Sequence, residues 1–271
     1  MPQIEIYQVD AFTDRAFGGN SAAICPLEAF LDDATSQMIA RENNLSETAY
    51  IVEKGQEGDA PVYALRWFTP TTEVDICGHA TLASAHVVLS HLHPDAPAVH
   101  FDTRSGRLIV VRDGDKLRMN FPLMPPKPID IPEGLGAAMG AEPSAVLKSD
   151  LGDRDLLLIY GNADVIKGLE PDLQALTAFA PYGFVASAPG EGDTDFVSRC
   201  FFPNHGIPED PVTGSAHCVM APYWAARLGK DKMFAEQISA RHGDLWLEMK
   251  GDRLLITGKA VEVMRGALFI S

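Results

Sequence analysis

The feature that most constrains this chain is a motif that occurs twice. Arg66, Phe68 and Pro70 are matched by Arg199, Phe201 and Pro203, 133 residues further on. In each copy a strand-like apolar segment runs into a polar turn and then into a glycine-containing helix start, at Gly78 and at Gly214. A second set recurs at nearly the same offset. Arg104, Gly106, Leu108, Gly114, Asp115 and Leu117 return without a gap as Arg241, Gly243, Leu245, Gly251, Asp252 and Leu254. The offset is close to half of the 271 residues, so a whole lobe is duplicated, and the period is too long for a solenoid.

Local patterns fill in the two halves. Alternation predicts strands at 3–10, 22–25 and 61–68. Residues 31–43 predict a helix capped by Asp32 or Asp33, with Met38 and Ile39 facing inward and Asn43-Asn44 ending it. Ser46 and Glu47 fall at a loop–strand junction. The segment from His79 to Leu89 is apolar on nearly every side, which predicts a helix buried within a sheet or barrel. Three strands follow over 99–121, joined by turns at Ser105-Gly106 and Asp113-Gly114. The five prolines between Pro122 and Pro132 predict an inter-domain linker. In the second half, strands are expected at 156–160, 184–187 and 196–202, with helices near 171–179 and over 214–228. Pro222 kinks or shortens the last of these, and hairpins return over 237–259. The expected division is an N-terminal lobe, 1–121, and a C-terminal lobe, 122–259, with the last strand, 260–271, a candidate to rejoin the first.

Charge and composition narrow the function. An apolar fraction of 46% with a mean hydropathy of -0.01 is that of a globular protein. A formal net charge of -15 argues against nucleic acid and anionic membranes as partners, because both call for basic patches. The start of the chain lacks a signal-peptide pattern, and no apolar run approaches the roughly 18 residues of a membrane span. Cys25, Cys77, Cys200 and Cys218 have no CxxC spacing, so reduced thiols in a cytoplasmic protein are expected. No GxGxxG, GxxxxGK[ST] or GxSxG pattern is present to ask for a nucleotide or a serine nucleophile.

The repeat also bears on the site. Two lobes about a pseudo-twofold axis would direct the helix starts at Gly78-His79 and Gly214-Ser215 toward one cleft. Helix N-termini bind carboxylates, which fits a small carboxylated substrate in a chain of excess negative charge. The acid/base candidates are Glu47, His79, Cys77, Glu209 and Asp210, although each taken alone reads more readily as a cap or a solvated or inert side chain. The spacing of His79, His86, His91 and His93 matches no zinc pattern, so no metal is expected.

Gly19-Asn20, Ser46-Glu47-Thr48, Phe68-Thr-Pro, Cys77-Gly-His-Ala-Thr81 and Glu209-Asp-Pro-Val-Thr-Gly-Ser-Ala-His217 together resemble the phenazine biosynthesis PhzF-like family, over essentially the whole chain. The resemblance implies an α+β protein of the diaminopimelate epimerase-like fold, two pseudo-symmetric β-barrel-like lobes each around a central helix. It also implies a cofactor-independent isomerase, usually a homodimer. By the same resemblance Glu47 is the general acid/base, and His79 and Asp210 assist proton movement. Ser46, Gly78, Gly214 and Ser215 line the substrate's carboxylate site, and Asn20 lies near it. Ser21 stands where the family often has proline. Diaminopimelate epimerases use one cysteine from each lobe; here Cys77 is opposed by Asp210, so a thiol–thiol racemase is not expected. The expected activity is a proton shift within a small carboxylic acid, with Glu47 made a proton donor by burial. The alternatives are a two-base epimerase or racemase of an amino-acid-like substrate and a non-catalytic small-ligand-binding protein.

Overall fold

A computed structural model describes residues 3–151 and 155–270. The chain divides into two compact units, residues 1–120 with 257–271, and residues 121–256.

The first unit carries β1 (Gln3–Ala11), β2 (Asn20–Leu27), α1 (Asp33–Asn43), β3 (Glu47–Glu57), β4 (Ala60–Phe68), β5 (Glu73–Val74), α2 (Gly78–Val87), β6 (Ala98–Thr103), β7 (Gly106–Asp113) and most of β8 (Lys116–Pro122). The last strand of the chain, β18 (Ala260–Phe269), returns to it beside β1. Running outward from β18, β1 and β2 pair antiparallel, β3 joins β2 in parallel, and β4 pairs antiparallel with β3. Then β6 joins β4 in parallel, and β7 and β8 follow antiparallel.

The second unit has β9 (Pro126–Ile129), α3 (Leu135–Met139), β10 (Ala145–Ser149), β11 (Asp155–Ile159), α4 (Ala163–Lys167), α5 (Leu173–Leu176), β12 (Gly183–Pro189), β13 (Phe196–Phe202), β14 (Ile207–Asp210), α6 (His217–Leu228), β15 (Lys232–Gln237), β16 (Gly243–Lys250) and β17 (Arg253–Gly258). Here β9, β10 and β11 are antiparallel, β12 joins β11 in parallel, and β13 pairs antiparallel with β12. Next β15 joins β13 in parallel and β16 pairs antiparallel with it. The alternation of antiparallel and parallel pairings is the same in both units, so the sequence repeat is a repeat of strand pairing.

In each unit a largely buried helix packs against the strands. Eight of the ten residues of α2 are buried, and the helix packs on β1, β2, β3 and β18. Small side chains at Ala80, Ala83, Ser84 and Ala85 let strands approach on several sides. The buried hydroxyls are satisfied locally, Thr81 donating to the Cys77 carbonyl at 2.6 Å and Ser84 to that of Ala80 at 2.7 Å. In the second unit α6 buries Cys218, Met220, Ala221 and Trp224. Pro222 lies inside α6 and has no N–H to give the Cys218 carbonyl. That carbonyl accepts instead from the Met124 N–H at 2.9 Å, so the helix continues through the proline.

Three expectations are corrected. Met38 is 60% exposed and does not face inward; α1 turns Ser36 and Ala40 toward the sheet, where the Tyr50 hydroxyl donates to the Ser36 carbonyl at 2.7 Å. Asp32 caps the helix as expected, accepting from the Thr35 N–H at 2.9 Å. The proline-rich stretch from Pro122 is no free linker, because Pro126–Ile129 forms β9 and pairs with β10. The regular part of α6 begins at His217, with turn-like bonds from His217 to Gly214 and from Cys218 to Ser215 leading into it.

Candidate active site

The twin motif is first of all structural. Arg66 pairs with Glu73 at 2.7 Å and lies over the Phe68 ring at 5.1 Å; Arg199 pairs with Glu209 at 2.8 Å and lies over Phe201 at 5.0 Å. In each unit the arginine fastens the polar turn to the strand before it. Glu209, a sequence candidate for acid/base work, is therefore engaged in holding this turn.

Glu47, His79, Asn20 and Cys77 come together in the first unit. Asn20 opens β2 and Glu47 opens β3, and these parallel strands start in near register, with Ala22 opposite Glu47. Gly19 makes this start possible. It has φ +57, and a Cβ there would lie 2.1 Å from the Ala11 carbonyl oxygen, so only glycine fits. The first turn of α2 brings His79 in between. Its Nε2 lies 2.7 Å from Oε2 of Glu47, with both side chains almost fully buried. Its Nδ1 lies 3.2 Å from Nδ2 of Asn20 and 3.5 Å from Sγ of Cys77. Both ring nitrogens are therefore engaged.

The electrostatics follow from this packing. Burial opposes the charged form of His79, but the Cys77 sulfur and the Glu47 carboxylate more than offset it, so its pKa is raised well above the usual histidine value. Burial, reinforced by the Glu47 charge and opposed by His79, pushes the Cys77 thiol up to about 11. With the Asn20 amide nitrogen toward Nδ1, that ring nitrogen accepts and the ring proton sits on Nε2, 2.7 Å from a Glu47 oxygen that has no aligned hydrogen bond. Protonating Nδ1 as well calls for an acceptor, which a turned Asn20 amide or the Cys77 sulfur supplies. The carboxylate and the imidazole are thus in direct contact, with a side-chain amide beside the other ring nitrogen. Sequence reasoning gave Glu47 burial alone as its activator; the structure gives it a histidine partner.

Ser46 is half-buried immediately before Glu47, and Gly78 opens α2, whose cap residue Cys77 makes no side-chain capping bond. Glu47, Cys77 and His79 place one donor atom each within 4.8 Å of one another, so this trio could also hold a metal ion. His86, His91 and His93 have other neighbours. His91 meets Glu262 at 2.5 Å, His86 lies against the His91 ring, and His93 reaches the Tyr63 hydroxyl at 3.2 Å.

In the second unit Asp210 ends β14, and its Oδ2 accepts from the Thr213 hydroxyl at 2.5 Å. Gly214 is buried and Ser215 exposed just beyond. Gln237, which sequence reasoning passed over, fixes this turn. Fully buried, it donates to the Asp210 carbonyl at 2.7 Å and accepts from the Thr213 N–H at 2.7 Å. Only its position at the end of a strand marks it in the sequence. His217 repeats the Thr81 arrangement, with Nδ1 at 2.9 Å from the Thr213 carbonyl, and burial lowers its pKa to about 4.

A sheet packed on a buried helix in each unit is the arrangement of the diaminopimelate epimerase-like fold, and curated bacterial relatives that match this chain are named as isomerases. The family model for phenazine biosynthesis-like proteins matches residues 9–266, and the chain belongs to that family. An uncharacterized isomerase of Pseudomonas aeruginosa is 49% identical over 99% of this chain and 100% of that protein. A crystal structure of a PhzF-family phenazine biosynthesis protein from Enterococcus faecalis matches with a TM-score of 0.92 and 40% identity, covering 99% of this chain and 100% of that one. A hydroxyproline epimerase from Agrobacterium vitis shares the fold at a TM-score of 0.62 and 10% identity, over 98% of this chain and 92% of that one.

Proposed function

We propose that the chain catalyses a cofactor-independent isomerisation of a small carboxylic acid. A proton is taken from one carbon and returned to another on the same molecule, so the formula is unchanged. The observation that carries this reading is the 2.7 Å contact between the buried Glu47 and His79 side chains. Glu47 takes the proton from substrate as a carboxylate and returns it as the acid. His79 compensates the charge of the pair, and Asn20 sets the ring's orientation. The N-terminus of α2, with Ser46 beside it, offers backbone N–H groups and a positive dipole end to the substrate carboxylate. Asp210, as a polar partner, and Gly214-Ser215, as carboxylate contacts, remain candidates of the proposal, and the working form is a homodimer.

Turnover of candidate carboxylic acids in deuterium oxide tests this. Glu47→Gln, with an unchanged circular dichroism spectrum, is expected to lose solvent deuterium incorporation on the order of 10²–10⁴-fold. Undiminished turnover in that variant would overturn the proposal. The two-base alternative has one observation behind it, the Cys77 sulfur against the same imidazole. It requires inversion of a stereocentre, and unchanged activity in Cys77→Ala would exclude its thiol form; the pair-based proposal expects no inversion.

A further inference from the structure

Away from this site, three ligating side chains converge in the second unit. Glu236 at the end of β15 and Asp244 at the start of β16 are direct cross-strand partners. Two like charges so placed repel unless a positive charge, a protonated imidazole or a bound cation, lies between them. His242, in the connecting turn, directs Nε2 to that point, 3.3 Å from Oε1 of Glu236 and 3.1 Å from Oδ1 of Asp244. The three donor atoms all lie within 4.8 Å of one another. A tetrahedral site with metal–ligand bonds of about 2.0–2.1 Å has ligand–ligand edges of about 3.3 Å, so the two nitrogen–oxygen separations already have the length of such edges. The second oxygen of Glu236 accepts from the Thr194 hydroxyl at 2.8 Å, which orients the carboxylate as outer partners orient metal ligands. The side chains are 27%, 32% and 29% exposed, enough for an ion to enter and keep water in a fourth position.

We propose that Glu236, His242 and Asp244 form a binding site for a divalent transition-metal cation of the zinc class. One imidazole with two carboxylates suits zinc, cobalt or nickel better than magnesium or calcium, which prefer all-oxygen sets. The ion would bridge β15 and β16 beside Gln237, which holds the Asp210 turn. The site is independent of the proposed reaction.

The full chain, stripped with chelator, is titrated with Zn²⁺ by calorimetry and with Co²⁺ by visible absorption. One equivalent is expected to bind with a Kd of roughly 100 µM or tighter. The Co²⁺ spectrum should lack thiolate charge transfer. Affinity should fall at least roughly tenfold in both His242→Ala and Asp244→Asn, a loss of about 1.4 kcal/mol, and be unchanged in Cys77→Ala. Asp244→Asn keeps the test decisive if His242→Ala fails to fold. Absence of saturable binding, full affinity in the folded variants, or loss of binding in Cys77→Ala would overturn the proposal, the last by assigning the ion to the buried Glu47, Cys77 and His79 trio.

Discussion

At the scale of single residues, the site is an arrangement of neighbours around one imidazole. Glu47 holds one ring nitrogen of His79, and Asn20 and Cys77 hold the other. The raised pKa of His79 has a sign for stability. Stabilisation by the pair is fully present below the ordinary histidine value of about 6.5 and is lost as pH rises through the higher folded value. Asn20→Leu removes the amide from Nδ1 while keeping bulk, and is expected to slow turnover roughly 10–100-fold, the effect of one hydrogen bond to a charged group. The same variant should move the pH–rate profile. Loss of activity with an unmoved profile would reduce Asn20 to a packing role. The grouping of Glu47, His79 and Asn20 was legible, but through the family resemblance of their motifs. Spacing alone could not show that Glu47 and His79, thirty-two positions apart, meet at 2.7 Å, because that depends on the parallel start of β2 and β3.

At the scale of elements, the duplicated motif was the most readable feature, and its chemistry explains why. An arginine that pairs with a glutamate across a turn and lies over a phenylalanine two residues along needs all three residues. The Asp32 cap was legible for a similar local reason. What escaped depends on partners distant in sequence. Met38 fits an inward stripe only until Tyr50 is seen to take up the Ser36 face of α1, and β9 exists because β10 is there to pair with its prolines. Gln237 belongs with these. Gln237→Leu strands the buried Thr213 N–H and leaves the Asp210 carbonyl short of a partner, and should lower the unfolding free energy by about 2–4 kcal/mol. Chemical denaturation measures this, and an effect below about 0.5 kcal/mol would show that the Asp210 turn holds itself.

At the scale of the whole molecule, net charge opposes the proposed substrate. The chain carries a formal charge of -15, so the proposal requires that a small carboxylate, repelled at long range, be captured by backbone dipoles at close range. Raising ionic strength from about 0.01 M to about 0.15 M shortens the screening length from about 30 Å to about 8 Å. KM for an anionic substrate should therefore fall with added salt while kcat changes little. A KM that rises with salt would show that a local positive field dominates the approach.

The claim on which the chemistry rests is that Glu47 and His79 hold a proton as one unit. Histidine-ring NMR over a pH titration measures it directly, with His217, at about 4, as a buried reference in the same spectra. The His79 ring is expected to titrate well above 6.5 in the native protein and to fall back toward or below that value in Glu47→Gln. A His79 that titrates at or below 6.5, unmoved by Glu47→Gln, would contradict it.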